Sequence, residues 1–278
     1  MEILWDYRVV SDLFLGGVGI GAFLFGAILF YLNASQYESI IKKSWFISPI
    51  LIIVGLVLLI TELGRPLNIV KALVNTNPTS FMSIGIYLQG ICLLLMLLVL
   101  IKLKNISEIS KPLVYLAAAF AGLVGLYHGF LLTGMGNVVW NSSVPLIFFL
   151  SSIVAGTSLS LVISSTSEGY KKALESSKLP LIFNAVLSLQ LIAIFSWIYT
   201  LTSSNAEANA AYSVLMSSYS MELWLLVILI GIIVPLTMFT LTMMKKIELK
   251  SIFLPTALCI LVGSFFLKHL VVYFGQMV

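Results

Sequence analysis

The chain is poor in charge. Only 9% of its 278 residues are charged, whereas 60% are hydrophobic, and the mean hydropathy is +1.10. Soluble domains carry about 25% charged residues, so this composition excludes an ordinary soluble fold. The apolar residues form runs of roughly 20, the length that crosses about 30 Å of hydrocarbon as a helix. The runs lack the alternating polar pattern of an outer-membrane barrel, so the sequence predicts an all-α integral membrane protein.

Thiols and imidazoles are equally scarce. The two cysteines, Cys92 and Cys259, lie in separate apolar runs, whereas a disulfide, a zinc site or an iron–sulfur cluster needs paired or clustered thiolates. The two histidines, His128 and His269, could ligate one b-type haem at most, whereas a two-haem membrane subunit needs about four. We expect no haem and no metal site in this protein, and we expect any redox metal to belong to partner subunits.

Eight apolar runs predict eight transmembrane helices in a single membrane domain, residues 1–278. Lysine and proline pairs, glycine and asparagine clusters, and a polar stretch from residue 203 to 210 separate the runs. The predicted spans are 12–33, 46–64, 81–103, 111–133, 144–165, 180–203, 219–243 and 251–275.

The basic residues predict the orientation. The net charge of +4 is spread over short loops, which is typical of membrane topology and not of a nucleic-acid-binding face. Eleven of the fifteen lysines and arginines fall on one side of the predicted bundle: Lys42, Lys43, Lys102, Lys104, Lys111, Lys171, Lys172, Lys178, Lys245, Lys246 and Lys250. Because cytoplasmic loops are enriched in Lys and Arg, we expect a multi-pass protein of the cell (cytoplasmic) membrane with both termini outside.

With this orientation, most ionisable residues of the spans lie at one depth, near the outer face. They are Asp12, Glu62, Arg65, Tyr127, His128, Glu222, Lys268 and His269. Because ionisable groups in hydrocarbon are costly and usually functional, this layer predicts a polar site at the outer membrane boundary.

Simpler interpretations of the same residues remain open. Glu62 and Arg65 are three positions apart on one helix face and could pair with each other. Glu222 and Lys268 could mark the interface or extend to it. A single histidine could merely bridge two helices.

A transporter or channel is the main alternative from another functional class. Its site is expected near the midplane on broken helices, but the polar layer is off-centre and few prolines, such as Pro235 and Pro255, lie within the spans. A passive anchor is a third alternative. It is disfavoured because an anchor does not need Asp12 and His128 at the same depth.

The glycines of the first span resemble a nucleotide-binding loop, but no strand precedes them. Gly17 and Gly21 have the spacing of close helix packing instead. The segment around them, DLFLGGVGIG at 12–21, is similar to the first helix of the NrfD/PsrC-like family of polysulfide reductase-type membrane subunits. Further resemblances follow in the same order: ELGRP at 62–66, PTSFMS at 78–83, YHG at 127–129, WNS at 140–142, PLIF at 145–148 and GSFFLKHLVVYFGQ at 263–276.

The resemblance implies two four-helix bundles and a haem-free subunit that exchanges electrons between menaquinone or another quinone and an iron–sulfur subunit. That partner sits on the outer face and usually serves a molybdopterin catalytic subunit. The terminal substrate, such as polysulfide, sulfur or thiosulfate, is converted by the partners and not by this subunit.

The resemblance also implies residue roles. Tyr127 matches a family tyrosine at the quinone headgroup, and Asp12 stands where some members have histidine. Glu62 replaces the commoner aspartate, and Lys268 the commoner arginine. His128 stands where a small hydroxyl residue is common. We expect Tyr127, His128 and Asp12 to bind quinone and exchange protons between the first, second and fourth spans, with Glu62, Arg65, Glu222, Lys268 and His269 shaping the pocket or the docking surface.

Overall fold

The computed structural model describes residues 5–62, 80–175 and 178–278. Within these ranges the regular structure is helical, without β-strands, and eight helices are long and apolar enough to cross a membrane. The prediction of an all-α membrane protein with eight spans is confirmed. The spans are α1 (Tyr7–Asn33), α2 (Glu38–Glu62), α3 (Phe81–Ile101), α4 (Lys111–Thr133), α5 (Val144–Ile163), α7 (Lys178–Ser203), α9 (Glu222–Met243) and α10 (Leu249–Gln276).

Two short α-helices and one 3-10 turn, Ile106–Glu108, lie between the spans in the described part of the chain. Helix α6 (Glu168–Glu175) has 8 residues and α8 (Ala206–Ser218) has 13, too few to cross about 30 Å of hydrocarbon. Asn205 caps α8, because its side chain accepts a hydrogen bond from the backbone of Ala208 at 2.7 Å. The polar segment that separates the sixth and seventh spans is therefore largely helical.

Helix α1 lies at the centre of the bundle, where it packs against α2, α4, α5 and α10. Of its most apolar 18-residue stretch, 78% is buried, against 28% for α3. Glycines allow the close approach: a methyl group on Gly21 would overlap the backbone of Ser152 and lie 3.2 Å from Gly156 Cα. The small-residue spacing of α1 therefore serves helix packing, here against α5.

The two ends of the described structure meet on one side of the bundle. The backbone N–H of Trp5 donates to Gln276 Oε1 at 2.7 Å, and Gln276 Nε2 donates to the carbonyl of Trp5 at 3.0 Å. The indole of Trp5 stacks on Trp140, in the connection between α4 and α5, at 5.5 Å. Trp140 in turn donates to the carbonyl of Val271 at 2.9 Å. These contacts fix α1, α10 and the α4–α5 connection to one another.

Helix α9 changes geometry along its length. Residues Glu222–Ile233 form a π-helix, and Val234–Met243 continue as an α-helix. Pro235 stands at the change and has no N–H to continue the preceding ladder. Gly231 of the π-helical part approaches Gly263 of α10 so closely that a methyl group on Gly231 would lie 2.7 Å from Gly263 Cα.

Candidate functional site

Four polar side chains from three helices are buried in the half of the bundle that contains both termini. Asp12 belongs to α1, Tyr127 and His128 belong to α4, and Lys268 belongs to α10. Their exposed fractions are 5%, 7%, 3% and 0%. We call these four residues the buried polar cluster.

Glycines of neighbouring helices provide the space for this cluster. Each member lies against one of them: Asp12 on Gly55, Tyr127 on Gly85, His128 on Gly16 and Lys268 on Gly17. A methyl group on Gly55 would lie 2.8 Å from Asp12 Oδ1, and one on Gly16 would lie 3.0 Å from His128 Cε1. The sequence pattern identified Gly17 as a packing residue, but not the glycines of α2 and α3.

Lys268 is the most deeply buried charge. Its Nζ donates to Ser152 Oγ at 3.2 Å and lies 5.9 Å and 5.7 Å from the ring centres of Phe14 and Phe148. The interpretation that Lys268 extends to the membrane interface is wrong, because the side chain is enclosed by α1, α5 and α10. No ion pair within 4 Å joins Lys268 to Asp12 among the described residues.

His128 has one partner and one free nitrogen. Its Nε2 lies 3.3 Å from the side-chain amide nitrogen of Gln89 on α3. Its Nδ1 is buried and has no hydrogen-bond partner within the described part of the protein. Among the buried unpaired side-chain atoms of the described residues, it is the one that belongs to the buried polar cluster, and a neutral imidazole nitrogen can donate or accept a hydrogen bond. Gln89 was not among the predicted site residues, because a single uncharged amide in an apolar run carries little signal.

A second group lies at the ends of α1 and α2 that are close to the described N-terminal end of the chain. The Arg8 guanidinium pairs with Glu62, donates to Asp6 Oδ2 at 2.8 Å and donates to the carbonyl of Thr61 at 2.8 Å. Desolvation raises the pKa of Asp6, but the hydrogen bonds and charge of Arg8 outweigh it and lower that pKa overall. Arg65, the partner expected for Glu62, lies outside the described residues.

Glu222 and His269 form a third group between α9 and α10. Glu222 Oε1 lies 2.6 Å from His269 Nδ1, and the imidazole stacks on Tyr273 at 4.3 Å. The expectation that Glu222 marks the interface is incomplete, because its side chain is half-buried and paired. The structure thus unites Asp12, Tyr127, His128 and Lys268, and places Glu62, Glu222 and His269 in separate contacts.

These features define a multi-pass membrane protein with a charged, hydrogen-bonding cluster buried near one end of its helices. The family model described as "Polysulphide reductase, NrfD" matches residues 1–278. The sequence is 30% identical to the C subunit of the polysulfide reductase of Wolinella succinogenes, with 99% of this protein and 95% of the relative covered. It is 23% identical to protein NrfD of Escherichia coli over 99% of this protein and 96% of that one, and 26% identical to the NrfD homologue of Haemophilus influenzae over 99% and 95%. The protein belongs to the NrfD polysulphide reductase family.

Proposed function

We propose that this protein is the quinone-reactive membrane anchor subunit of an iron–sulfur molybdoenzyme of the polysulfide, sulfur or thiosulfate reductase type. One observation carries the proposal: Asp12 on α1 and Tyr127 and His128 on α4 are buried at the same end of two helices that pack together, and His128 Nδ1 has no partner among the described residues. The name of the Wolinella relative, the C subunit of a polysulfide reductase, supports a place in a multi-subunit complex.

The cluster suits a quinone headgroup. Such a ring carries two oxygens that need hydrogen-bond partners, and a hydrophobic tail that favours a membrane-embedded site. The Tyr127 hydroxyl can donate to one oxygen, and His128 can donate or accept according to its tautomer. Gln89 holds the imidazole from α3, the helix with the largest exposure to the lipid. We infer that menaquinone or another quinone enters from the bilayer along α3.

The same residues can accept and donate the protons of the quinone reaction. Oxidation of a quinol to a quinone releases two electrons and two protons, and reduction consumes them. Asp12 is the carboxylate of the cluster and the proton acceptor or donor that we assign. Lys268, fully buried in the same cluster, favours the charged form of Asp12, because a positive charge in an apolar surrounding stabilises a carboxylate.

The electrons need a carrier outside this subunit. Two cysteines and two histidines in the whole sequence are too few for a cluster of thiolates or paired haems. We propose that electrons pass to or from an iron–sulfur subunit on the outer face, which serves a molybdopterin catalytic subunit. Glu62, Glu222 and His269 lie on the side of the bundle that is proposed to face outward. Together with Arg65, which lies outside the described residues, they are the candidates for docking.

This assignment includes the membrane orientation. We propose that the protein lies in the cell membrane with both termini outside, and that α1–α4 and the remaining four spans form two four-helix bundles. The lysine-rich ends of the helices then face the cytoplasm, as the positive-inside rule requires.

The test follows electron transfer in the purified complex. A quinol analogue is added, and reduction of the partner's iron–sulfur centres is monitored by absorbance or electron paramagnetic resonance. We expect Asp12→Asn and Tyr127→Phe each to slow reduction by about 10²-fold, the scale on which a positioned proton-transfer group contributes.

Matched controls come from exposed positions. Tyr115→Phe removes a hydroxyl from the lipid-facing side of the same helix, and Glu207→Gln removes a carboxylate from exposed α8. Both controls should retain the wild-type rate. Wild-type rates in Asp12→Asn and Tyr127→Phe would rule out the buried polar cluster as the quinone site. A wild-type complex that accepts no electrons from quinol and yields none to quinone would leave the passive anchor or the transporter instead.

A further inference from the structure

A second site lies at the opposite end of the bundle from the buried polar cluster. A cleft of about 830 Å³ opens where α6, the start of α7, the end of α9 and the start of α10 meet. Four lysines line it: Lys171 on α6, Lys245 and Lys246 after α9, and Lys250 on α10. Nothing in the proposed electron transfer uses this cleft.

In this cleft, which we call the basic cleft, the lysines outnumber the carboxylates. Two carboxylates, Glu175 and Glu248, also line it, which leaves an excess of two positive charges. The four lysines form no ion pair within 4 Å in the described part of the protein. A cleft with an excess of positive charge attracts an anion.

One lysine of the cleft has an unusual backbone conformation. Lys245 has φ of 57°, a left-handed conformation that glycine or asparagine adopts most readily. The N–H groups of Lys245 and Lys246 donate to the carbonyls of Thr242 and Leu241 at 2.9 and 3.0 Å. This is the hydrogen-bond pattern of a Schellman helix end, in which glycine usually occupies the position of Lys245. Lys245 therefore has a left-handed backbone conformation that is unfavourable for lysine, and it lines the cleft.

Apolar surface adjoins the charges. Leu174, Pro180, Met243 and Leu249 line the cleft together with the lysines. Just beyond it, on the lipid-facing sides of α7 and α10, Leu181, Ile182 and Leu254 are each more than half exposed. The cleft therefore lies where the spans end, with basic groups at headgroup level and apolar side chains towards the hydrocarbon.

We propose that the basic cleft binds the phosphodiester headgroup of an anionic phospholipid, with its acyl chains along the exposed residues of α7 and α10. Basic pockets between transmembrane helices are suited to such headgroups. A soluble phosphate would use the lysines alone, whereas a phospholipid also uses the adjoining apolar surface. Phospholipid binding in the basic cleft does not depend on whether the buried polar cluster binds quinone.

The test measures lipid binding to the purified protein in a zwitterionic detergent. Phosphatidylglycerol is titrated, and binding is followed by native mass spectrometry and by the midpoint of thermal unfolding. We expect saturable binding and a raised midpoint with phosphatidylglycerol but not with phosphatidylcholine. Because each lysine near a headgroup contributes about a fivefold gain in affinity, Lys171→Gln/Lys246→Gln should weaken binding by about 25-fold.

Two controls separate this site from general electrostatics. Lys102→Gln/Lys104→Gln removes the same charge from exposed positions on the same side of the bundle and should leave the affinity unchanged. Lys245→Gly removes a cleft charge while relieving the left-handed backbone, so it should raise the midpoint without lipid and weaken phosphatidylglycerol binding. Equal loss in the Lys102/Lys104 control, equal binding of phosphatidylcholine, or the full stabilisation with inorganic phosphate alone would each overturn the proposal.

Discussion

At the scale of the residue, Lys268 is the lysine whose burial is energetically most unfavourable, because it is the one lysine or arginine that is fully buried among the described residues. A lysine that is fully buried in a membrane bundle loses its hydration, and one hydroxyl from Ser152 does not replace it. The nearby negative charge of Asp12 is the compensation that the structure offers. We therefore expect the free energy of burying each of these two charges to depend on the presence of the other.

A double-mutant cycle measures that dependence. Lys268→Met leaves Asp12 buried without a counter-charge, so we expect it to lower the free energy of unfolding by about 3 kcal/mol. Asp12→Asn/Lys268→Met should cost at least about 1 kcal/mol less than the sum of the single changes. The free energies are read from unfolding by sodium dodecyl sulfate in mixed micelles. Lys111→Met, at an exposed position on α4 and outside the basic cleft, serves as the control. Additive effects of the two changes would show that Asp12 and Lys268 are energetically independent.

The residues of the cluster differ in how far the sequence revealed them. The depth of Asp12, Tyr127 and His128 follows from span length and orientation, since each helical residue advances about 1.5 Å. The rotation of each helix about its axis does not follow, because most spans are apolar on all sides and give no preferred face. The contact of His128 with Gln89 and the burial of Lys268 were therefore inaccessible to sequence reasoning.

At the scale of the element, small residues set the contact of α1 with α5, whereas large aromatic side chains pack α1 against α2, where Phe23 stacks on Trp45 at 5.6 Å. In a bilayer, the hydrocarbon gives apolar helices little reason to associate, so close van der Waals contact becomes decisive. Gly21 and Gly156 place the backbones of α1 and α5 in direct contact. The same crossing brings Gly17 to Lys268 and Ser152, so the packing of these helices also shapes the buried polar cluster.

Replacing a contact glycine tests this coupling. Gly21→Ala would place a methyl group on the backbone of Ser152, where no side-chain movement can relieve the overlap. We expect a loss of about 1–3 kcal/mol in unfolding free energy, as for overpacked cores. Gly122→Ala on α4, where a methyl group meets nothing within 4 Å, should instead gain about 0.5 kcal/mol through the less flexible unfolded state. Equal effects of the two substitutions would contradict the close α1–α5 packing.

The number of long helices was predictable because hydropathy and length are properties of each segment alone. The helix α8 and the π-helical part of α9 were not. The sequence of α8 is too short and polar to suggest a span, and its helical form rests on the Asn205 cap. A π-helix has no distinct residue pattern, and Pro235 marks only the point where it ends.

At the scale of the whole molecule, the two proposed sites lie at opposite ends of the helices, and their charge differs. The buried polar cluster and the rim ion pairs lie on the side of both termini, whereas the basic cleft lies among the lysine-rich connections. This asymmetry assigns each site to one leaflet once the orientation is known. The positive-inside rule predicts that the cluster lies on the outer side and the cleft in the cytoplasmic leaflet.

Single cysteines test the orientation in intact cells. Ser204→Cys, between α7 and α8, and Ser107→Cys, between α3 and α4, are both at exposed positions on opposite sides. They are introduced into a variant in which Cys92 and Cys259 are replaced by alanine. With a membrane-impermeant maleimide, we expect the cysteine at 204 to be labelled in intact spheroplasts, and the one at 107 only after the membrane is permeabilised. The reverse pattern would place the buried polar cluster on the cytoplasmic side, so that protons released at Asp12 and the docking partner would both belong to the cytoplasm.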